Sequence, residues 1–181
     1  SPDGRLIAVE VEGESEEDTW ILDIQTGNDY RLTFTGDGNE PAWSPDGTRI
    51  YFASDIDSDQ EVLLVKPADN SGTTTRVLGG IFDIGHPSLS REKNLISYED
   101  LSGENLDVVV RSLDDSSQVR VLERPRDQFS PALSRNGDYV AFVTHEQGEQ
   151  ELYVQRVDGD AFWTVSEPSN QNPSRPQWSP D

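Results

Sequence analysis

Ser44-Pro45-Asp46-Gly47, with Pro41-Ala42-Trp43 ahead of it and Ile50-Tyr51-Phe52-Ala53 behind it, is the stretch on which the fold depends. Proline presets φ at the first corner of a turn, aspartate bonds nearby backbone, and glycine accepts a positive φ. The tetrapeptide therefore reads as a turn that delivers the chain into an alternating strand. It stands also at Ser1-Pro2-Asp3-Gly4, degrades to Ser90-Arg91-Glu92-Lys93 and Ser134-Arg135-Asn136-Gly137, and returns as Ser179-Pro180-Asp181. The steps between copies are 43, 46, 44 and 45 residues. Every copy after the first has a proline three positions ahead: Pro41, Pro87, Pro131 and Pro176.

Outward from each turn the pattern repeats. A first strand follows the first four copies: Leu6-Ile7-Ala8-Val9, Ile50-Tyr51-Phe52-Ala53, Leu95-Ile96-Ser97-Tyr98 and Tyr139-Val140-Ala141-Phe142. A second comes after it, as Thr19-Trp20-Ile21-Leu22, Val62-Leu63-Leu64-Val65, Asp107-Val108-Val109-Val110 and Leu152-Tyr153-Val154-Gln155. A weaker third closes each unit, near Tyr30, Val77, Val119 and Trp163. β-branched and aromatic residues at period two, bounded by Gly, Pro, Asn and Asp, mark strands. No stretch carries a convincing helical stripe. With the proline-led segment counted in, four strands recur about every 44 residues, the repeat of a β-propeller blade. The expected fold is all-β: a β-propeller of four repeats of about 44 residues forming four-stranded blades.

The domain expected is a single propeller or propeller segment over 1–181, with repeats beginning near 1, 44, 90 and 134. The first copy lacks a leading strand, and residues 176–178 are a leading strand without a blade, so together they are expected to complete the first blade. Such a chain forms a closed four-blade ring, an arc of a larger propeller, or half of a ring made with a second copy. Both ends fall at a copy of the turn and no Met opens the chain, so a piece of a longer protein is expected.

Composition narrows the function. Asp and Glu number 35 against 14 Lys and Arg, a net charge of −21 that disfavours nucleic acid and anionic membrane surfaces. The absence of cysteine excludes disulfide frameworks, thiolate zinc sites and cysteine nucleophiles. No apolar run approaches the ~18 residues of a membrane-spanning helix. Lysine is confined to Lys66 and Lys93, and an acid-rich, lysine-poor surface suits high salt.

Pro41-Ala42-Trp43-Ser44-Pro45-Asp46-Gly47, then Ile50-Tyr51-Phe52-Ala53-Ser54-Asp55, then Glu61-Val62-Leu63-Leu64-Val65, resembles the TolB-type WD-like β-propeller repeat. The resemblance runs the length of the chain, although the third and fourth copies lack the Trp and the intact Pro-Asp. It implies a propeller whose usual work is protein binding, and a periplasmic or otherwise extracytoplasmic location. Similar blades also occur in kinase-attached sensor domains and prolyl-oligopeptidase-like enzymes, so fold does not give function.

Two sets of loops are candidates for that work. The link between first and second strands is acidic in every repeat: residues 14–18, 55–61, 99–104 and 146–151. These would sit on one face and attract a basic partner or a cation, or simply form a solvated face. The repeat junctions, 36–40, 82–86, 124–130 and 169–175, supply the candidate partner-binding residues Asp37, Glu40, Asp83, His86 and Asp127. Asp55, Asp57 and Asp59 alternate like the opening of a calcium loop, but Gln60 takes the place of its glycine and Lys66 that of its bidentate glutamate. His86 and His145 occupy non-equivalent positions with no third ligand. No Gly-x-Ser-x-Gly elbow or phosphate-cradling glycine loop occurs, so no catalytic residue and no cofactor is expected. Trp20, Trp43, Trp163 and Trp178 are expected to pack between blades. The expected function is a non-enzymatic scaffold binding a protein or peptide through loops on one face. The alternatives are an accessory propeller of a larger hydrolase or kinase and a self-assembling structural repeat.

Overall fold

The computed structural model describes residues 1–13, 16–55, 61–81, 84–100, 103–115, 117–122, 126–146, 149–166 and 173–179. Among these it contains no helix and fifteen strands. They are β1 Leu6–Glu12, β2 Glu17–Asp23 and β3 Asp29–Arg31; β4 Asn39–Trp43, β5 Arg49–Ser54, β6 Glu61–Pro67 and β7 Thr75–Ile81; β8 Ile84–Leu89, β9 Leu95–Asp100, β10 Asp107–Ser112 and β11 Gln118–Leu122; β12 Gln128–Leu133, β13 Tyr139–Glu146, β14 Glu149–Arg156 and β15 Phe162–Thr164. Each group is one antiparallel meander, giving a three-stranded sheet β1–β3 and four-stranded sheets β4–β7, β8–β11 and β12–β15. These are the four propeller blades of the sequence pattern, the first without its leading strand.

The serine explains why the turn survives degradation. Ser44 Oγ accepts the N–H of Arg49 at 2.9 Å and donates to Asp46 Oδ1 at 2.7 Å, while Asp46 accepts the N–H of Thr48 at 3.0 Å. Gly47 sits at φ 72° and donates its N–H to Ser44 O. Ser1 and Ser134 make the same bond to the N–H five residues on, with Asp3 and Asn136 in the aspartate's place. In the copy without Pro, Asp or Gly, Ser90 Oγ still accepts the N–H of Leu95 at 3.0 Å, and Asn94 takes the positive φ of 48°. Asparagine tolerates that region better than other non-glycine residues.

Two compact units, Ser1–Phe82 and Asp83–Asp181, each hold two sheets packed face to face. In the first, Ile21 and Leu32 meet Ile50, Phe52, Val62 and Leu64, with Leu6, Ala8, Tyr30 and Trp43 against them. Tyr30 carries its hydroxyl to Ala68 O, and Lys66 Nζ reaches Leu32 O at 2.6 Å, so polar bonds frame that apolar seam. In the second, Leu95, Val108, Val110 and Leu122 meet Leu133, Val140, Phe142 and Tyr153. The opposite face of β1 is bare. Ile7 and Val9 are 41% and 36% exposed, whereas Ile50 and Phe52, their repeat equivalents, are 0% and 1% exposed.

The tryptophans correct the expectation of uniform packing. Trp43 is half-buried against the first core, but Trp163 and Trp178 are 48% and 38% exposed. Both gather around Tyr139, and Trp178 Nε1 donates to Ala132 O at 2.8 Å.

The Asp46 carboxyl is pulled down to about 2 by the Ser44 hydroxyl and then the Thr48 N–H and hydroxyl, from an ordinary 3.8. With its folded value below the unfolded one, Asp46 adds stability that is complete above about pH 4 and vanishes as pH falls through about 2. Asp46→Asn keeps the acceptor oxygen, as Asn136 does, but cannot titrate. Urea unfolding between those two pH values should show a smaller loss of stability in Asp46→Asn than in the natural chain.

Candidate partner-binding end

All four junctions carry a strained backbone, and three of them are bulges. Glu40, His86, Ser130 and Arg175 stand immediately before the four repeat prolines, with φ of 48°, 48°, 52° and 49°. None is glycine, and a side chain in that region costs on the order of 1 kcal/mol or more. In the β4–β5 pairing Asn39 faces Ala53 and Ala42 faces Tyr51, so Glu40 and Pro41 oppose one residue. The pairing skips alike at His86-Pro87 and at Ser130-Pro131. A bulge tolerates proline, which has no N–H to give the ladder.

In the first unit this bulge is pinned to the sheet that precedes it. Gly38 N–H donates to Glu17 O at 2.8 Å and Glu17 N–H to Gly36 O at 3.1 Å. Glu40 N–H donates to Glu10 Oε2 at 3.2 Å. Asp37 accepts the N–H of Asp55 at 2.5 Å and the Ser54 hydroxyl at 3.5 Å. The second unit repeats the arrangement with different residues. Gln128 N–H donates to Leu106 O at 2.7 Å, Leu106 N–H to Asp127 Oδ1 at 3.0 Å, and Ser130 N–H to Glu99 Oε1. Glu99 also meets His86 Nδ1 at 2.9 Å.

Asp37 and Glu40 are thus brought together in one unit, and His86 lies against the same carboxylate as Ser130 in the other, near Asp127. Asp83, Asp57 and Asp59 lie outside the described residues. Asp55, the remaining member of the calcium pattern, donates its backbone N–H to Asp37. Among the described residues no three His, Cys, Asp or Glu side chains are placed to hold a metal. The sequence reading missed Glu10 and took Glu99 only as part of the acidic link 99–104. Their signal is an acid at a strand position where the other repeats carry Ala53 and Val143.

The structure also merges two features that the sequence kept apart: the acidic hairpins and the junctions share one end of the sheets. Like charge raises the Glu17 carboxyl, with Glu10 the largest contributor, then burial, Glu12, Asp37 and Asp55. Burial raises Asp37, reinforced by the charge of Asp55 and opposed by its N–H. At the other end the acids are lowered: hydrogen bonds from Ser1, Ser71 and Ser117 lower Asp3, Asp69 and Asp115, a backbone N–H from Thr26 lowers Asp23, and Arg156 lowers Asp158. Negative charge is satisfied locally at the turn end, whereas in the first unit Glu17 and Asp37 are left raised at the junction end. Asp18, buried at the base of the first hairpin, is an exception, paired with Arg31 and the Thr33 hydroxyl.

A family model for the TolB beta propeller domain matches residues 1–181. No curated protein sequence matches the chain. TolB from Acinetobacter baumannii is 18% identical with a TM-score of 0.78, over 96% of this chain and 43% of that one. A putative TolB from Agrobacterium tumefaciens is 22% identical with a TM-score of 0.79, over 91% of this chain and 62% of that one. A puromycin-hydrolyzing peptidase from Mycobacterium tuberculosis is 13% identical with a TM-score of 0.67, over 90% of this chain and 30% of that one. The chain therefore spans from under a third to under two thirds of the length of these structures, and at such identities the likeness is one of fold.

Gly38 shows how closely the junction is fitted. A Cβ there would stand 2.4 Å from Thr33 Oγ1 and 2.9 Å from Thr33 Cβ. Thr33 cannot swing aside, since its hydroxyl oxygen accepts the Thr19 N–H at 2.9 Å and donates to Asp18. Gly38→Ala should cost about 1–3 kcal/mol in chemical unfolding.

Proposed function

The chain belongs to the TolB beta propeller domain family, and from that premise we propose a non-enzymatic scaffold that binds a protein or peptide partner through the junction end of its blades. The partner segment that suits this end is basic. The observation that carries the reading is the contrast between the raised acids Glu17 and Asp37 and the lowered acids at the turns. Residues 1–181 act in this reading as one propeller segment, with residues 176–178 adding to the three-stranded first sheet. An extracytoplasmic, periplasmic setting accords with the family, and neither cofactor nor metal enters. The alternative is an accessory propeller of a larger hydrolase or kinase, in keeping with the peptidase among its structural neighbours.

A short oligo-arginine peptide is the probe. It should bind the natural chain with an affinity that falls as salt is added. Glu17→Gln/Asp37→Asn/Asp55→Asn should weaken it about tenfold, whereas Asp69→Asn/Asp115→Asn/Asp158→Asn, an equal change of charge at the turn end, should not. Because Glu17 and Asp37 are raised, they lose charge first as pH falls, so binding should fade before the turn-end acids titrate. Equal weakening by the two triple variants would show only bulk charge.

Self-association is a second reading, favoured by the bare apolar face of Ile7, Val9 and Val11. Light scattering should then give a sharp species at twice the 20.2 kDa chain mass, returned to one chain by Val9→Lys. A natural chain that runs singly rejects it.

A further inference from the structure

We infer that Glu99 is a positioning residue of this binding end: from within its sheet it clasps the backbone of the next junction at Ser130 and stands against the His86 side chain of its own. Its use in binding rests on the function proposed above, but its geometry does not. Glu99 is 7% exposed, and a carboxylate is seldom buried unless partnered. Its Oε1 accepts the N–H of Ser130, which ties β9 to β12, and it lies 2.9 Å from His86 Nδ1, close contact without the alignment of a hydrogen bond. Room for this is made on the facing strand, where Gly85 pairs with Glu99 and a Cβ at residue 85 would stand 2.4 Å from Glu99 Oε2.

Both His86 and Ser130 have left-handed backbone, a conformation that persists only where the surroundings hold it. The device occurs twice. Glu10 occupies the same strand position in the first repeat, and its Oε2 accepts the N–H of Glu40, the residue equivalent to Ser130. Ala53 and Val143, with no acceptor, stand at that position in the other two repeats. Alternate repeats therefore carry a side-chain clasp onto the next junction. The third repeat alone adds a histidine to it, which joins the clasp to a side chain able to meet a partner.

Amide hydrogen exchange followed by NMR on the 181-residue chain tests this. Glu99→Ala should speed exchange at Ser130 roughly tenfold to a hundredfold, the loss of a bond to a charged group, while amides of β13 and β14 keep their rates. Glu99→Gln retains an acceptor oxygen, so Ser130 should stay protected. The ring nitrogen shifts of His86 should move in that variant, with those of His145 unchanged as an internal control. An unaltered Ser130 rate in Glu99→Ala, or a rise shared by every amide, overturns the assignment. Should Glu99→Ala not fold, Glu10→Ala at an exposed position asks the same question of the first unit. Exchange at Glu40 should then rise with Ser130 unaffected, and an unchanged Glu40 rate rejects the clasp. None of these readouts needs a partner, so they stand or fall separately from oligo-arginine binding.

Discussion

A bulged strand must find acceptors for the backbone N–H groups that its neighbour no longer takes, and this constraint shapes the protein. Proline removes one donor from each junction. Another, at Glu40 or Ser130, goes to a glutamate of the preceding sheet, and a third, at Gly38 or Gln128, goes to that sheet's backbone at Glu17 or Leu106. An unpaired buried N–H costs too much to leave unmade, so the bulge at Ser130 depends on the sheet beside it. Local strain and packing between sheets are thereby one problem with one solution. The apolar seams from Ile21 to Phe52 and from Val108 to Phe142 bring the sheets together. The polar bonds at the junctions set how they meet.

The fold was legible because its signals are local and repeated. A serine, a turn, and strands at period two suffice to count four blades, and the missing leading strand of the first was visible from the order of the copies. The candidate end was legible only in part. Asp37, Glu40, His86 and Asp127 were marked as loop residues, but the bulge was hidden, since Pro41-Ala42-Trp43 reads as an ordinary strand start. The bonds of Glu10 and Glu99 were hidden for a different reason: their partners lie 30 and 31 residues away, at a distance no local periodicity reports. Of the alternating aspartates only Asp55 lies among the described residues, where its backbone N–H meets Asp37. Trp163 and Trp178 were overrated because packing depends on which faces are covered, a property of neighbours rather than of the residue.

Charge obeys the same division between ends. A single total of −21 conceals two populations of carboxylates. Those in the turns accept hydrogen bonds that compensate them one by one, and they do structural work whatever binds elsewhere. Beside the first unit's junction, like charge raises Glu17 and burial raises Asp37. A cation-bearing partner would relieve the like charge around Glu17, so the junction end of the first unit is suited to recognition.

The clasp also bears on what counts as one unit of such a chain. Glu10 and Glu40 both fall between the first Ser-Pro-Asp-Gly and the second, and Glu99 and Ser130 both fall between the third copy of the turn and the fourth. A tract running from the first turn to the second, or from the third to the fourth, thus holds a sheet together with the fastening for the sheet that follows. A pair of successive repeats, rather than a single one, is therefore the smallest stretch of this chain that contains every kind of seam it uses.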